Sequence, residues 1–390
     1  MQSGKDSVAP SNVPLLDVGR GNAPIRERFL QRIAEIYDQG CFIGGPDCKE
    51  LERLVAEACG VEYAIGCASG SDALLLALMA FDIGHGDEVI VPSFTFFATA
   101  SAVARLGARP VFVDIDPVSF NINPELIHKH ITPRTRAIIP VHLFGQCADM
   151  NAINEIAQRY GLVVIEDAAQ AIGAQHAAQP ACSMSDVGCL SFYPTKNLGG
   201  CGDGGMVTAR DADVADRLRK LANHGMHPRY HHSLIGINSR LDTFQAAMLA
   251  IKMEFVEQYA DARRANAARY QSRLGASKMA EWLELPSESE GNHHVWNQFT
   301  IRVKGGLRDR VREDMRQAGV GSEVYYPIPL HLQECFQYLG VRHGSLPQTE
   351  KAAAEVLSLP IFPELTAAEL DRAIDVLEST LARMSQTAAA

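Results

Sequence analysis

Between Val61 and Ala209, short apolar runs of strand character alternate with helical ones, and no other feature limits the fold of this chain as much. Asp87 to Ser93, Pro110 to Asp116, Ala137 to Leu143 and Leu162 to Asp167 read as strands; Ala98 to Leu106 and Asn151 to Tyr160 read as helices. Strands joined through helices run parallel, because the crossover brings the chain back to the edge it left. The expected fold class is therefore α/β, a mainly parallel sheet flanked by helices. Such a sheet collects ligand-binding groups at the carboxyl ends of its strands.

One lysine occupies such a position. Val187 to Tyr193 reads as a buried strand and Gly204 to Ala209 as another, and between them stands Pro194-Thr195-Lys196-Asn197-Leu198-Gly199-Gly200. An amine held in a short turn between buried elements loses solvation, its pKa falls, and the neutral form that attacks carbonyls becomes populated. The competing possibility is a lysine that snorkels out of a glycine-rich turn into water.

Upstream, the apolar strand Val163-Val164-Ile165 ends in Glu166-Asp167-Ala168-Ala169-Gln170. A carboxylate there can hold a proton on a pyridine nitrogen, which makes the ring a much better electron sink. Successive side chains on a strand face opposite ways, so only one of the two acids can serve. Either could instead cap a following helix. Earlier still, Gly66-Cys67-Ala68-Ser69-Gly70-Ser71-Asp72 leads into the apolar helix-like run Ala73 to Met79. Free amides and the positive end of a helix suit a phosphate monoester there, although a serine before an apolar run is also an ordinary cap. Phosphate loop, buried acid and desolvated lysine together are the three handles of pyridoxal 5'-phosphate.

Composition removes other classes. A chain of 390 residues with 47% hydrophobic content can bury a large core and divide into two domains. A formal charge of -10 is wrong for nucleic acid, which demands a basic face. The nine cysteines form no C-x-x-C pair and suit reduced thiols in a cytoplasm. No apolar run is long enough to span a membrane, and Met1 to Asn12 lack the apolar core of a secretion signal, so a cytoplasmic protein with a frayed amino terminus is expected.

Asp211 to Lys220 has acids first and bases last, as in a surface helix complementing its dipole. A long helical stretch, Leu241 to Tyr270, would join the large domain to a smaller one with a strand at Gln298 to Val303 and helices at Leu307 to Gln317 and Ala367 to Met384. The expected division is an N-terminal arm over 1–24, a large cofactor-binding domain over 25–271 and a smaller α+β domain over 272–390.

The ordered set Ala68-Ser69-Gly70-Ser71-Asp72-Ala73-Leu74, Pro92-Ser93-Phe94-Thr95-Phe96-Phe97-Ala98-Thr99, Val164 to Gln170, Ser191 to Asn197 and Gly236-Ile237-Asn238-Ser239-Arg240 resembles the DegT-type nucleotide-sugar aminotransferases, which have the fold type I architecture and use pyridoxal phosphate. The resemblance runs from about Ile25 to Leu381. It implies that Lys196 is joined covalently to the cofactor's aldehyde and moves the proton, that Asp167 pairs with the pyridine nitrogen, and that Gln170 bonds the ring oxygen. Phe96 would stack on the ring, where many relatives have Tyr or Trp, and Gly70, Ser71 and Ser191 would bind the phosphate. Asn238 would reach the phosphate in the neighbouring subunit's site, which makes a homodimer with shared sites. Arg240, Tyr326 and His331 would face the sugar nucleotide, and glutamate would donate the amino group.

Tyr193 to Gly199 followed by Gly202-Asp203-Gly204-Gly205, with Tyr325-Tyr326-Pro327-Ile328-Pro329-Leu330-His331, is similar to the subgroup acting on 3-keto sugars more than to the 4-keto subgroup. Asn238 to Thr243 further resembles enzymes for UDP-linked 3-keto-N-acetylglucosaminuronate, where Arg240 could pair with the sugar carboxylate through its planar fork, or instead make a structural ion pair. A sugar dehydratase of the same fold is disfavoured because those relatives carry histidine in place of Lys196; a cofactor-binding regulator without turnover is the rival from another class. Gly200, Gly202 and Gly205 match a dinucleotide spacing but precede a strand-like run, and His224, His227, His231 and His232 lack acid or cysteine partners, so neither a nicotinamide site nor a metal is expected.

Overall fold

The computed structural model describes residues 12–388, with side chains to residue 384. Seven strands form the main sheet: β1 (Tyr63–Cys67), β2 (Glu88–Pro92), β3 (Arg109–Val113), β4 (Thr135–Ile138), β5 (Val163–Asp167), β6 (Val187–Ser191) and β7 (Gly205–Ala209). Their order is β1-β7-β6-β5-β4-β2-β3, and β7 alone runs against the others. The carboxyl ends of β1, β2, β5 and β6 therefore share one edge. Buried strands explain the sequence: every residue of β2 and β7 is buried, so these runs show no polar alternation.

Both faces of the sheet are covered. The helices Gly70–Ala80, Ala98–Arg105 and Ala212–Ala222 pack on the face of Ile165, Val187 and Val207; Pro46–Cys59, Met150–Tyr160 and Thr243–Met253 pack on the face of Val164, Leu190 and Met206. Asp211 caps its helix by accepting from the amides of Asp213 and Val214, which fits the charge order of that segment. A small antiparallel sheet of Leu283–Glu284, Phe299–Val303 and Val356–Leu359, covered by helices Arg308–Gln317 and Ala367–Ala388, builds the C-terminal core.

Three expectations change. The stretch Leu241 to Tyr270 is two helices, Thr243–Met253 and Val256–Gly275, interrupted at Glu254 and Phe255, where Phe255 stacks on Tyr259. The second helix belongs to both cores: Val256 and Ala260 pack with the main sheet, while Ala267, Tyr270 and Leu274 pack with the C-terminal one. Residue 272, the expected start of the small domain, thus lies inside a shared helix. No helix follows Asp167; β5 runs into tight turns and the short pair Gln175–His176 and Gln179–Pro180, so neither acid is a helix cap.

Residues 1–11 of the expected arm, including most of the frayed terminus, lie outside the described residues. From Val13 the arm is docked: Val13 exchanges backbone hydrogen bonds with Gly319 and Gly321, and Arg20 makes a bidentate pair with Glu369 at 2.9 and 3.0 Å. The arm thereby extends the C-terminal core rather than projecting from the fold.

Candidate functional site

The site forms at the shared carboxyl edge. Ser69 closes the turn after β1, its hydroxyl accepting from the Asp72 amide at 3.1 Å, and the helix begins at Gly70 with its first amides free of intrahelical partners. Gly70 and Ser191 meet here from β1 and β6. A Cβ on Gly70 would lie 2.6 Å from that of Ser191, and one on Gly205 would lie 2.4 Å from the Ser69 carbonyl carbon. Glycine is required because backbone fills the cup's wall. Ser239 locks it from outside, accepting from the Ala68 amide at 3.0 Å and donating to Asp72 Oδ2 at 2.8 Å.

The pleat of β5 separates its two acids. Glu166, fully buried, faces the Val164 side and accepts from the Cys182 and Met184 amides at 2.8 and 2.9 Å, from Ser185 Oγ at 2.7 Å and from His142 Nε2 at 2.8 Å. Its oxygens are spoken for inside the protein. The Ala148 amide donates to His142 Nδ1, which leaves Nε2 to donate to the carboxylate. Asp167 faces the other side, towards Lys196. It accepts from Thr99 Oγ1 at 2.8 Å and from the Ala169 amide at 3.3 Å. Burial raises its pKa, opposed by the Thr99 and Ala169 hydrogen bonds and the Lys196 charge.

Lys196 follows β6 in a turn closed by its amide on the Tyr193 carbonyl at 2.9 Å. Part of its surface opens to the cleft, yet protein surrounds most of the side chain, and burial pushes its pKa from 10.5 down to about 8 while the Asp167 charge resists the fall. It does not snorkel. Gln170 Oε1 accepts from the Phe144 amide at 2.7 Å, and the Gln170 side chain bonds Tyr326, whose hydroxyl is pushed up by burial and by the Asp167 charge. Phe96, 57% exposed, leans on Tyr326 with ring centres 6.2 Å apart.

Of the other expected residues, two are exposed and one is buried. Asn238 and Arg240 are exposed on the rim beyond Ser239, and Arg240 has Asn223 Oδ1 at 3.3 Å and no carboxylate at ion-pair distance among the described residues. His331, expected to face the sugar nucleotide, is 1% exposed, with Nδ1 on Ser93 Oγ at 2.7 Å and Nε2 on Glu350 at 3.2 Å. Both ring nitrogens are thus engaged within the chain, and burial lowers its pKa. Gly205 opens β7, which removes the dinucleotide reading. Sequence reasoning assigned nothing to Thr99 or to Ser239, because each sits inside a quoted motif with no periodic or charge signal to aim it.

The buried carboxylate, the depressed lysine and the glycine-walled cup fit pyridoxal phosphate: an acid for its ring nitrogen, an amine for its aldehyde and free amides for its phosphate. No group of three or more His, Cys, Asp or Glu side chains among the described residues is arranged to hold a metal.

Residues 23–378 match the profile of the DegT/DnrJ/EryC1/StrS aminotransferase family. The chain is 47% identical to a pleiotropic regulatory protein of Geobacillus stearothermophilus over 91% of this chain and 94% of that one. It is 47% identical to UDP-N-acetyl-3-dehydro-alpha-D-glucosamine 3-aminotransferase of Acidithiobacillus ferrooxidans, covering 95% and 98%. It is 43% identical to UDP-2-acetamido-2-deoxy-3-oxo-D-glucuronate aminotransferase of Pseudomonas aeruginosa, covering 92% and 97%. Among solved structures, DesV of S. venezuelae superposes with a TM-score of 0.92 at 41% identity, covering 95% and 98%, and NtdA of Bacillus subtilis, with the cofactor PMP bound, with a TM-score of 0.90 at 34%, covering 97% and 87%.

Proposed function

We infer the reaction from one premise: the chain belongs to the DegT/DnrJ/EryC1/StrS aminotransferase family and is a nucleotide-sugar aminotransferase that uses pyridoxal phosphate. The cofactor supplies an electron sink and carries an amino group between two substrates. Everything else falls to the chain.

Gly70, Ser71 and Ser191 bind the phosphate, Gln170 the ring oxygen, and Phe96 covers one ring face. Asp167 keeps a proton on the ring nitrogen. Lys196, its pKa lowered to about 8 by burial, takes the proton from the donor's α-carbon and returns it on the other side of the transfer. Glutamate is the donor. Asn238, exposed on the rim, completes the phosphate site of a second copy, so the working unit is a homodimer. Tyr326 lines the sugar side of the cleft beside Phe96, and His331, bonded to Ser93 and Glu350, sets the loop that carries it.

The acceptor is a UDP-linked 3-keto-2-acetamido sugar, and its uronate form is the reading we favour. The observation that carries it is the exposed Arg240 guanidinium, which has no carboxylate at ion-pair distance among the described residues and whose planar fork suits one. The neutral 3-keto-N-acetylglucosamine derivative is the second reading, supported by the relative at 47% identity.

Absorbance of the purified protein, recorded before and after glutamate and then after UDP-linked 3-keto-N-acetylglucosaminuronate, tests the scheme. Glutamate should convert the cofactor to its amine form and the sugar should restore the starting spectrum. Conversion that only the neutral sugar reverses would reject the uronate; a cofactor band that glutamate never alters would leave a binding protein without turnover.

A further inference from the structure

A buried chain of hydroxyls ends on the site carboxylate. Thr99 Oγ1 lies 2.8 Å from Asp167 Oδ2, and Thr95 Oγ1 lies 3.1 Å from Thr99 Oγ1; the two threonines are 0% and 2% exposed. A threonine hydroxyl has one proton. The proton of Thr99 points at Asp167, so its oxygen is left to accept, and Thr95 is the donor to it. The direction of the chain is therefore set: Thr95 to Thr99 to Asp167. Both threonines are buried, so the donors on this side of the carboxylate come from the protein itself.

We propose that Thr99, supported by Thr95, is a positioning residue that holds Asp167 ionised and aimed at the cofactor's ring nitrogen. The rationale is electrostatic. Burial opposes the negative form of Asp167, and a donated hydrogen bond in a low-dielectric setting stabilises that form specifically. Lys196 contributes charge as well, but its amine is consumed by the cofactor's aldehyde, which leaves the fixed donors to do this. Thr95 sits on the segment between β2 and the helix Ala98–Arg105 that also carries Phe96, and Thr99 stands in the first turn of that helix. One short segment therefore places the ring-covering aromatic and orients the acid that meets the ring's nitrogen.

The inference rests on the reading that Asp167 pairs with the ring nitrogen, and a pair of cofactors separates the two. Cofactor-free protein is titrated, by quenching of its intrinsic fluorescence, with pyridoxal phosphate and with its 1-deaza analogue, in which C–H replaces the ring nitrogen. Loss of a hydrogen bond to a charged group predicts that Thr99→Val weakens pyridoxal phosphate by about tenfold or more while the deaza analogue changes by less than about twofold. Thr99→Ser, which keeps the donor, should bind both as the parent does. Thr95→Val should weaken pyridoxal phosphate by a smaller factor with the same selectivity, and this variant decides the matter if Thr99→Val does not fold.

Equal weakening of both cofactors, or of neither, would overturn the inference, since a merely structural threonine does not distinguish N from C–H. Asp167→Asn run in parallel tells which idea has failed. If it discriminates between the cofactors and the threonine variants do not, the hydroxyl chain is wrong and the Asp167 reading stands. If it does not discriminate, the Asp167 reading itself falls.

Discussion

Asp167 and Lys196 titrate against each other: the carboxylate's charge holds the lysine up against burial, and the lysine's charge holds the carboxylate down against the same burial. Removing either should move the other in a known direction. Cofactor-free protein should capture pyridoxal phosphate at a rate that rises through about pH 8 and levels above it, because the neutral amine is the nucleophile. In Asp167→Asn the midpoint should fall, as burial then acts alone. The folded pKa lies below the unfolded 10.5, so the folded protein holds fewer protons between about pH 8 and 10.5, and this group's share of stability rises with pH across that window. Stopped-flow absorbance against pH checks the rate; a midpoint near 10 would contradict it. Lys196→Ala should bind the cofactor through the cup and lose turnover.

Glu166 is expected to matter for folding rather than chemistry. Glu166→Ala strands two amides and the His142 Nε2 proton in the interior, and should lower the unfolding free energy by roughly 3–5 kcal/mol. Gln is a poor substitute, since either orientation of its NH2 faces a donor. Denaturant unfolding should show a lower midpoint with an unchanged slope.

Gly70→Ala tests the cup. A methyl 2.6 Å from the Ser191 Cβ forces two backbone-anchored walls apart, at about 1–3 kcal/mol, so cofactor affinity should fall roughly five- to hundredfold. Fluorescence titration reads it directly, and parent-like binding would show that the phosphate sits elsewhere.

Arg240→Ala should raise KM for the uronate roughly ten- to hundredfold, the worth of a charge-assisted hydrogen bond, and leave kcat unchanged. With the neutral sugar it should do little. Initial rates on both sugars decide it; a uronate KM that does not move rejects the carboxylate contact.

Shared sites predict complementation. In the proposed homodimer, Lys196→Ala and Asn238→Ala should each be inactive alone, but a mixed dimer should carry one site with neither change. Subunit exchange at equal amounts should restore about a quarter of parent activity. No recovery after demonstrated exchange would place Asn238 in its own chain's site.

Much of the site was legible because it depends on local chemistry. Lys196 between a strand and glycines, the acids ending β5 and the small-residue loop before an apolar helix each carry a pattern that reads at short range. Thr99, Ser239 and the partners of Glu166 do not: Thr99 reaches Asp167 over 68 positions and Ser239 reaches Asp72 over 167, and nothing in the local sequence records such a meeting. The single helix expected over Leu241 to Tyr270 failed for the related reason that a break at Glu254 leaves no change in periodicity.

The sequence by itself determined the kinds of element, their order and the residue types at the sheet's carboxyl edge, because these follow from hydrophobic period and from what a strand or cap can hold. The tertiary structure decided what each of the two adjacent acids meets, since His142, Cys182, Met184 and Ser185 come to one side of β5 and Thr99 and Lys196 to the other. Glu166 was given four donors and Asp167 was left facing the amine. Side-chain direction on a strand is a local alternation, but what lies on either side of it is assembled from distant parts of the chain.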